Sequence, residues 1–391
     1  MKASILVRFL SLILLLFFST FASAQHHGDE GSGGKPRLSL LGGPGFNPDT
    51  GLLLGGDGVL TFSTNRADTL LKRSVLPTAF AFFFKGGGLI NMRPQVFFNE
   101  DRVRLFGVLS FISLLDNYYG VGFETNEVRE RGEFTTEHRL INTRINPVLL
   151  FRWKETDFFF GGGLAIFNNT IKNPSEGVLL DNTFSAQGGD ENGANFFNSG
   201  ISFRLNYDTR DMPANAYSGL LLEFNSTIYD NIFGSDNRYR IYSLEYRQYL
   251  QLKGLGKEKV LAWTTNIRFS DGNVPWTDLS TIGSPFDLRG YYQGQYRDNT
   301  AAYFMTEYRH GFELGRPNKF VGFLSKTGFV LWSGMGVVSD GFDSEAEIGA
   351  LPNLGGGLRF QLQPRINFRV DFGHDVRNQQ TLIYLNVTEA F

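Results

Sequence analysis

The chain has 391 residues, 42% of them hydrophobic and 15% aromatic, with a formal net charge of −2 and no cysteine. The lack of cysteine excludes a disulfide framework, a thiolate zinc site and a thiol nucleophile. The mildly acidic balance gives no basic surface for nucleic acid, so no nucleic-acid partner is expected.

Residues 1–24 read as a secretory signal peptide. Lys2 and Arg8 form a short basic start, an apolar stretch runs from Phe9 to Phe21, and Ala22-Ser23-Ala24 offers a cleavage site. The apolar stretch is short for a membrane-crossing helix. Cleavage after Ala24 removes two cations, takes the charge to −4 and leaves 391 − 24 = 367 residues. Residues 25–35 follow as a polar, glycine-rich, flexible periplasmic leader. His26 and His27 beside Asp29 and Glu30 read as a solvated tail and not a metal site, since ordering a flexible segment opposes binding.

From residue 36 to 391 the chain alternates. Ile201, Phe203, Leu205 and Tyr207 fall on one face of a strand, and Ser202, Arg204, Asn206 and Asp208 on the other. Ile366, Phe368, Val370 and Phe372 alternate in the same way with Arg365, Asn367, Arg369 and Asp371. Such segments begin near residues 36, 52, 77, 89, 102, 136, 157, 198, 219, 237, 259, 299, 319, 350, 365 and 380. Many reach the ~9–11 residues that cross a bilayer at a tilt. With no long apolar helix, only a closed barrel satisfies every backbone group in lipid. The predicted fold is all-β: a transmembrane antiparallel β-barrel of about 16 strands, even in number as bacterial barrels are. Tyr118-Tyr119 and the Tyr246/Tyr249 pair are expected in interfacial aromatic girdles. Long connections, near 112–135, 169–197, 271–298 and 335–349, follow odd strands and face outward if the amino terminus is periplasmic. Most of those after even strands are short, and Ser63–Leu76 is the exception. The first strand, Arg37 to Gly42, is expected to be short because it runs into Gly42-Gly43-Pro44-Gly45.

Four segments carry more specific information. Tyr207-Asp208-Thr209-Arg210-Asp211, with Pro213 and Gly219, reads as a turn in which Asp208, Arg210 and Asp211 pair locally. Leu288-Arg289-Gly290-Tyr291, with Gly294, Arg297 and Asp298, lies in the loop between strands 11 and 12. Glu307 and Arg309 share a lumenal face of strand 12. Ile383, Leu385, Val387 and Phe391 alternate to the last residue, with Glu389 on the same face.

Together these segments resemble the barrel half of the BamA/TamA superfamily, the bacterial surface antigen family of outer-membrane assembly and translocation proteins. The resemblance implies that the loop folds back into the lumen with Arg289 held by wall residues. It also implies a periplasmic turn at Asp208–Asp211, a C-terminal signal at Phe391 that the assembly machinery reads, and a weak seam between the first and last strands. Two departures stand out. The family's strand-13 aspartate is replaced by glycine in Trp332-Ser333-Gly334-Met335-Gly336, which leaves Glu307 and Asp371 as the partners expected for Arg289. The periplasmic POTRA domains of the assembly members are expected to be lacking, which weakens client capture.

The function implied is protein assembly, insertion or translocation at the bacterial outer membrane. The alternative is a passive or plugged pore or structural barrel. Expected partners are outer-membrane lipids, the outer-membrane assembly machinery during biogenesis, and a client or periplasmic protein. His138, His310 and His374 are scattered and match no catalytic signature, so no catalytic residue, cofactor or metal is expected.

Overall fold

The computed structural model describes residues 35–68, 71–213, 215–314, 322, 324–341, 348–363, 365–387 and 389–391. The expected signal peptide and residues 25–34 of the leader lie outside them.

The first strands in chain order are β1 (Arg37–Asn47), β2 (Gly51–Phe62), β3 (Ser74–Phe83), β4 (Gly88–Met92), β5 (Gln95–Phe98) and β6 (Val103–Asn117). Then come β7 (Glu137–Arg152), β8 (Phe158–Lys172), β9 (Ala194–Asp208), β10 (Gly219–Tyr229), β11 (Tyr239–Gln251) and β12 (Lys259–Gly272). A short ribbon, β13 (Ser280–Ile282) and β14 (Tyr296–Asp298), precedes β15 (Thr300–Gly311), β16 (Thr327–Ser339), β17 (Gly349–Gln363), β18 (Ile366–Asp375) and β19 (Gln380–Val387). The ribbon stands apart from the main sheet. The other strands pair antiparallel with their neighbours and close through β1–β19. Both β4 and β5 pair with β3 and β6 and form one stave broken at Arg93-Pro94, so the closed barrel has 16 staves.

Alternation explains why this sheet closes in lipid. On β9, Ile201 and Phe203 are each 43% exposed on the outer wall. Inward-facing Arg204 and Asn206 hydrogen-bond to Asn225 and Glu223. Leu40, Leu54, Phe82, Phe111 and Leu331 continue the outer apolar band. A band of that extent suits hydrocarbon, because soluble monomers rarely expose patches beyond a few hundred Å². No helix among the described residues is long and apolar enough to cross a membrane.

Several sequence expectations change. β1 runs through its glycines and Pro44 to Asn47 and pairs with β2 along all eleven residues. Proline is tolerated there because β1 has one full neighbour and behaves as an edge. The strand expected near 319 begins at Thr327, after a helical position at Leu324. The Ser63–Leu76 connection braces the broken stave: Thr64 Oγ1 donates to the Phe97 carbonyl (2.6 Å), and Ser74 Oγ accepts from the Phe97 N–H (3.0 Å). Tyr118 and Tyr119 are not in a girdle but buried beneath the long loops, and Tyr249 points into the lumen. Tyr118 turns inward because its hydroxyl donates to Asp181 (3.0 Å).

Both mouths are obstructed. On the long-loop rim, Tyr118, Val178, Phe184 and Trp276 pack as one apolar cluster, with the Tyr118 and Trp276 rings 4.3 Å apart. On the opposite rim, the turn 209–218 reaches the β17–β18 turn. Arg365 there donates to Asp211 and to the Asn215 carbonyl, each at 2.9 Å, and lies 3.6 Å over the Tyr217 ring.

Candidate functional site

The loop between β12 and β15 enters the lumen and returns through the β13–β14 ribbon. Its tip is Arg289-Gly290. Gly290 has φ +120°, and a Cβ there would lie 2.7 Å from the Asp375 backbone nitrogen. Gly373 on β18 faces the tip just as closely, since its Cβ would meet the Arg289 carbonyl carbon at 2.5 Å. Backbone therefore docks on backbone, which only glycine permits at these two positions.

Hydrogen bonds fix the tip on all sides. The Gly290 N–H donates to Tyr384 Oη (3.0 Å), and Gln380 Nε2 donates to the Gly290 carbonyl (2.9 Å). Asn353 Nδ2 donates to the Arg289 carbonyl (2.9 Å), and Tyr291 Oη donates to the Pro352 carbonyl (2.8 Å). Leu288 fills the space opposite β16, where a Cβ on Gly334 or Gly336 would come within 3.0 or 2.4 Å of its methyl groups. An aspartate at position 334 would collide with Leu288, so the glycine that departs from the family pattern has a packing reason.

Arg289 is fully buried. Its Nη1 donates to Asp371 Oδ2 (2.8 Å), its Nη2 donates to Glu307 Oε1, and its guanidinium carbon sits 3.6 Å over the Trp332 ring. The carboxylates are shared. Asp371 also receives Arg359 and Arg369, each at 2.6 Å, and Glu307 receives Arg309 at 3.0 Å. Arg369 ties the network to the loop again through the Pro285 carbonyl (2.8 Å). Each guanidinium of this network thus has a carboxylate, the condition under which charge survives desolvation.

The last residues join this network instead of extending β19. Alternation puts Glu389 with Ile383, Leu385 and Val387 on the outer face, and Phe391 at the end of that row. Both turn into the lumen and are buried. Glu389 accepts from Arg359 and Asn367 (both 2.8 Å), and the Phe391 carbonyl accepts from Arg309 (2.8 Å). The Phe391 ring packs with Tyr249, Met305 and Trp332. The inward turn gives Glu389 two partners that the lipid-facing wall cannot offer.

The remaining sequence-derived residues lie elsewhere. Arg297 sits under the cap beside Trp276, Gly294 turns the returning arm with φ +63°, and Asp298 Oδ1 accepts from the Asn299 N–H (2.8 Å). Arg210 forks onto Asp208 at the short-turn rim (2.9 and 2.8 Å), and Ala216 of the same turn packs in the cluster of Met305, Trp332 and Phe391 beside the Arg289 network. Sequence reading missed Arg359, Arg369, Trp332 and Tyr384. Arg369 was legible as a lumen-facing charge, but nothing local paired it with the loop.

A second anchor holds the β1–β2 turn. Arg131 donates to the Asp49 and Pro48 carbonyls (2.8 and 3.2 Å), and the Gln293 N–H donates to Asp49 Oδ1 (3.2 Å). Burial pushes the Asp49 carboxyl up to about 6, against the opposing pull of Arg131. The other edge contact of β1 is slight: among the described residues a single bridge, between Phe46 and Leu385, joins it to β19, whereas β18 and β19 pair over eight residues.

The fold resembles solved outer-membrane structures at low identity. BamA from Haemophilus ducreyi lacking POTRA domains 1–3 aligns with a TM-score of 0.60 and 13% identity, over 91% of this chain and 70% of that one. CdiB from Escherichia coli aligns with a TM-score of 0.55 and 12% identity, over 90% of this chain and 61% of its own. CdiB from Acinetobacter baumannii gives 0.51 and 12%, over 90% and 59%. The chain therefore spans about three fifths of the CdiB chains. No curated protein matches the sequence. The Omp85 superfamily domain matches residues 121–381, more than half of the chain and all of the Arg289 loop, and the protein belongs to the Omp85 superfamily.

Proposed function

We propose that this barrel inserts or translocates proteins at the bacterial outer membrane, with outer-membrane lipid around it and a client or periplasmic protein as its partner. The observation that carries this reading is the β1–β19 seam. Among the described residues one bridge closes it, at Phe46 and Leu385, beside pairings of eight to eleven residues on either side. An unpaired strand edge is a template for another strand. A seam that parts beside lipid offers that template to a client without exposing it to water. The buried Arg289 network ties the loop to β15, β17 and β18, which leaves the seam as the less bonded line of the wall.

The test uses the lack of native cysteine. Phe46→Cys with Leu385→Cys should form a disulfide across the seam, because the two are register partners. Protein reconstituted in liposomes should accelerate folding of a small client barrel when reduced and lose that activity when oxidised. The control pair Leu41→Cys with Asp57→Cys, within the β1–β2 hairpin, should be indifferent to oxidation. Equal activity of the sealed and reduced seam would refute the reading.

A second reading, a plugged pore, is favoured by the two obstructed mouths. It separates from the first by conductance without client activity.

A further inference from the structure

Three cations stand on the outer wall at its long-loop end. Arg139 on β7 and Lys172 on β8 are register partners. Both point outward, because their alternating neighbours His138, Leu140 and Ile171 pack inside against the Trp276 cluster. Lys85 joins them from the β3–β4 turn, whose Gly86 carbonyl accepts from Arg139 Nη1 (3.5 Å). Lys85 and Lys172 are exposed and Arg139 is half-buried. Like charges directly opposite on neighbouring strands, with Cβ atoms ~4.5–5.5 Å apart, repel. None of the three forms an ion pair within 4.0 Å among the described residues. Two acidic residues lie close in the chain and leave them unanswered. Glu137, on the same face of β7, is likewise without an ion pair among the described residues. Asp190, in the β8–β9 connection, accepts from the Asn192 N–H (2.7 Å).

Beneath this row the outer wall carries hydroxyls and amides before it becomes apolar. The next outward positions in register are Ser113, Ile141, Thr170 and Asn195, then Phe111, Thr143, Asn168 and Phe197. Thr170 Oγ1 donates to Asn195 Oδ1 (2.7 Å). The exposed apolar wall of Phe82, Ile90, Phe111 and Leu109 adjoins and continues below. The vertical order is therefore cation, hydroxyl and amide, hydrocarbon. From Arg139 to Thr143 the mixed zone is four residues deep, ~13 Å along the strand. That is deeper than the ester junction between the phosphate and chains of a glycerophospholipid. A phosphorylated glycolipid has the matching order: phosphate, sugar, acyl chain.

We propose that this face binds the phosphorylated glycolipid of the outer leaflet. A lipid A phosphate sits between Arg139 and Lys172, with Lys85 as the third cation. The sugars lie against Thr170 and Asn195, and the acyl chains against Phe82, Ile90 and Phe111. A phosphate between the paired cations replaces one repulsion by two charge-assisted contacts. The inference needs the barrel seated in the outer membrane with its long loops outward, and it stands apart from insertion or translocation.

The probe is bisphosphorylated lipid A, titrated into the refolded full chain in zwitterionic detergent and counted by native mass spectrometry. Wild type should bind it saturably. Lipid A stripped of both phosphates, and phosphatidylglycerol, should each bind at least tenfold more weakly. Arg139→Gln with Lys172→Gln should weaken lipid A at least tenfold, whereas Arg102→Gln, beside Glu155 at the short-turn rim, should change nothing. If the double variant fails to fold, Lys172→Gln alone, at an exposed position, should still weaken lipid A several-fold. The thermal midpoint separates a binding site from a structural role. Losing Lys172 relieves the repulsion, so Lys172→Gln should melt above wild type in detergent alone, yet gain less than wild type when lipid A is added. Unchanged affinity in the folded variants, equal binding of the phosphate-free lipid, or a variant that melts no higher alone and gains as much with lipid A would overturn the site. Phosphatidylglycerol binding as tightly as lipid A would overturn the glycolipid assignment.

Discussion

Arg289, Glu307 and Asp371 are expensive residues to bury, and their worth lies in specificity. A buried ion pair is roughly neutral against an apolar replacement, but removing one partner costs about 3–5 kcal/mol. Asp371→Asn leaves Arg289, Arg359 and Arg369 facing a neutral amide. It should lower barrel stability by about that amount, read as a lower urea midpoint, and expose Arg289 to trypsin. An unchanged midpoint and an uncut loop would show that the network is decorative. Gly290→Ala acts through the backbone. At φ +120° with the Asp375 nitrogen in contact, it should cost about 1–3 kcal/mol of loop docking and raise cleavage within residues 283–298.

Among the elements, the β1–β2 hairpin is the least conventionally held. Its inner edge, β2, pairs with β3 over ten residues, its outer edge, β1, has one bridge among the described residues, and its turn hangs on Arg131 and Gln293. Asp49 makes this turn sensitive to pH. Its folded pKa is raised to about 6, above the ordinary 3.8, so the folded state holds the extra proton between those values. Stability therefore falls as pH rises from about 4 to about 6. Wild type should lose thermal midpoint over that window relative to Asp49→Asn, in which this contribution is flat. Amide exchange at Asn47–Gly51 should show the same trend. A wild-type difference that grows toward low pH would contradict the assignment.

The whole barrel is an obstructed cylinder with one weak line. The cap around Trp276, the lumenal loop and the strap from Asp211 to Arg365 all obstruct the axis. Single-channel conductance should be low and should rise severalfold when residues 284–298 are deleted. A wide constitutive conductance in the intact protein would remove both the plug and the argument that opening is lateral. The inward turn of Glu389 and Phe391 bears on biogenesis as well. If Phe391 is the residue that the assembly machinery reads, it must be read before Arg309 and Arg359 capture the tail. Glu389→Gln should then alter the stability of the folded barrel more than its delivery, measured as urea midpoint against membrane yield.

The sequence by itself determined the staves, the inward and outward faces, and the loop that matters. Side-chain facing in a strand is local geometry with period two, so Ile201 and Arg369 announce their sides without reference to any neighbour. Only the tertiary structure decided which lumenal charges meet. Arg289 and Asp371 are 82 residues apart, and Arg365 and Asp211 are 154 apart. No local periodicity encodes such pairs, because they exist only once the sheet has closed. The same reason explains Glu389 and Phe391: alternation assigned them to the lipid face, but the carboxylate finds Arg359 and Asn367 only inside a finished barrel. The tyrosines at 118 and 249 were misassigned likewise, since their partners come from distant loops and from the tail. Closure creates a second, enclosed interior, and what that interior holds is a property of the whole chain.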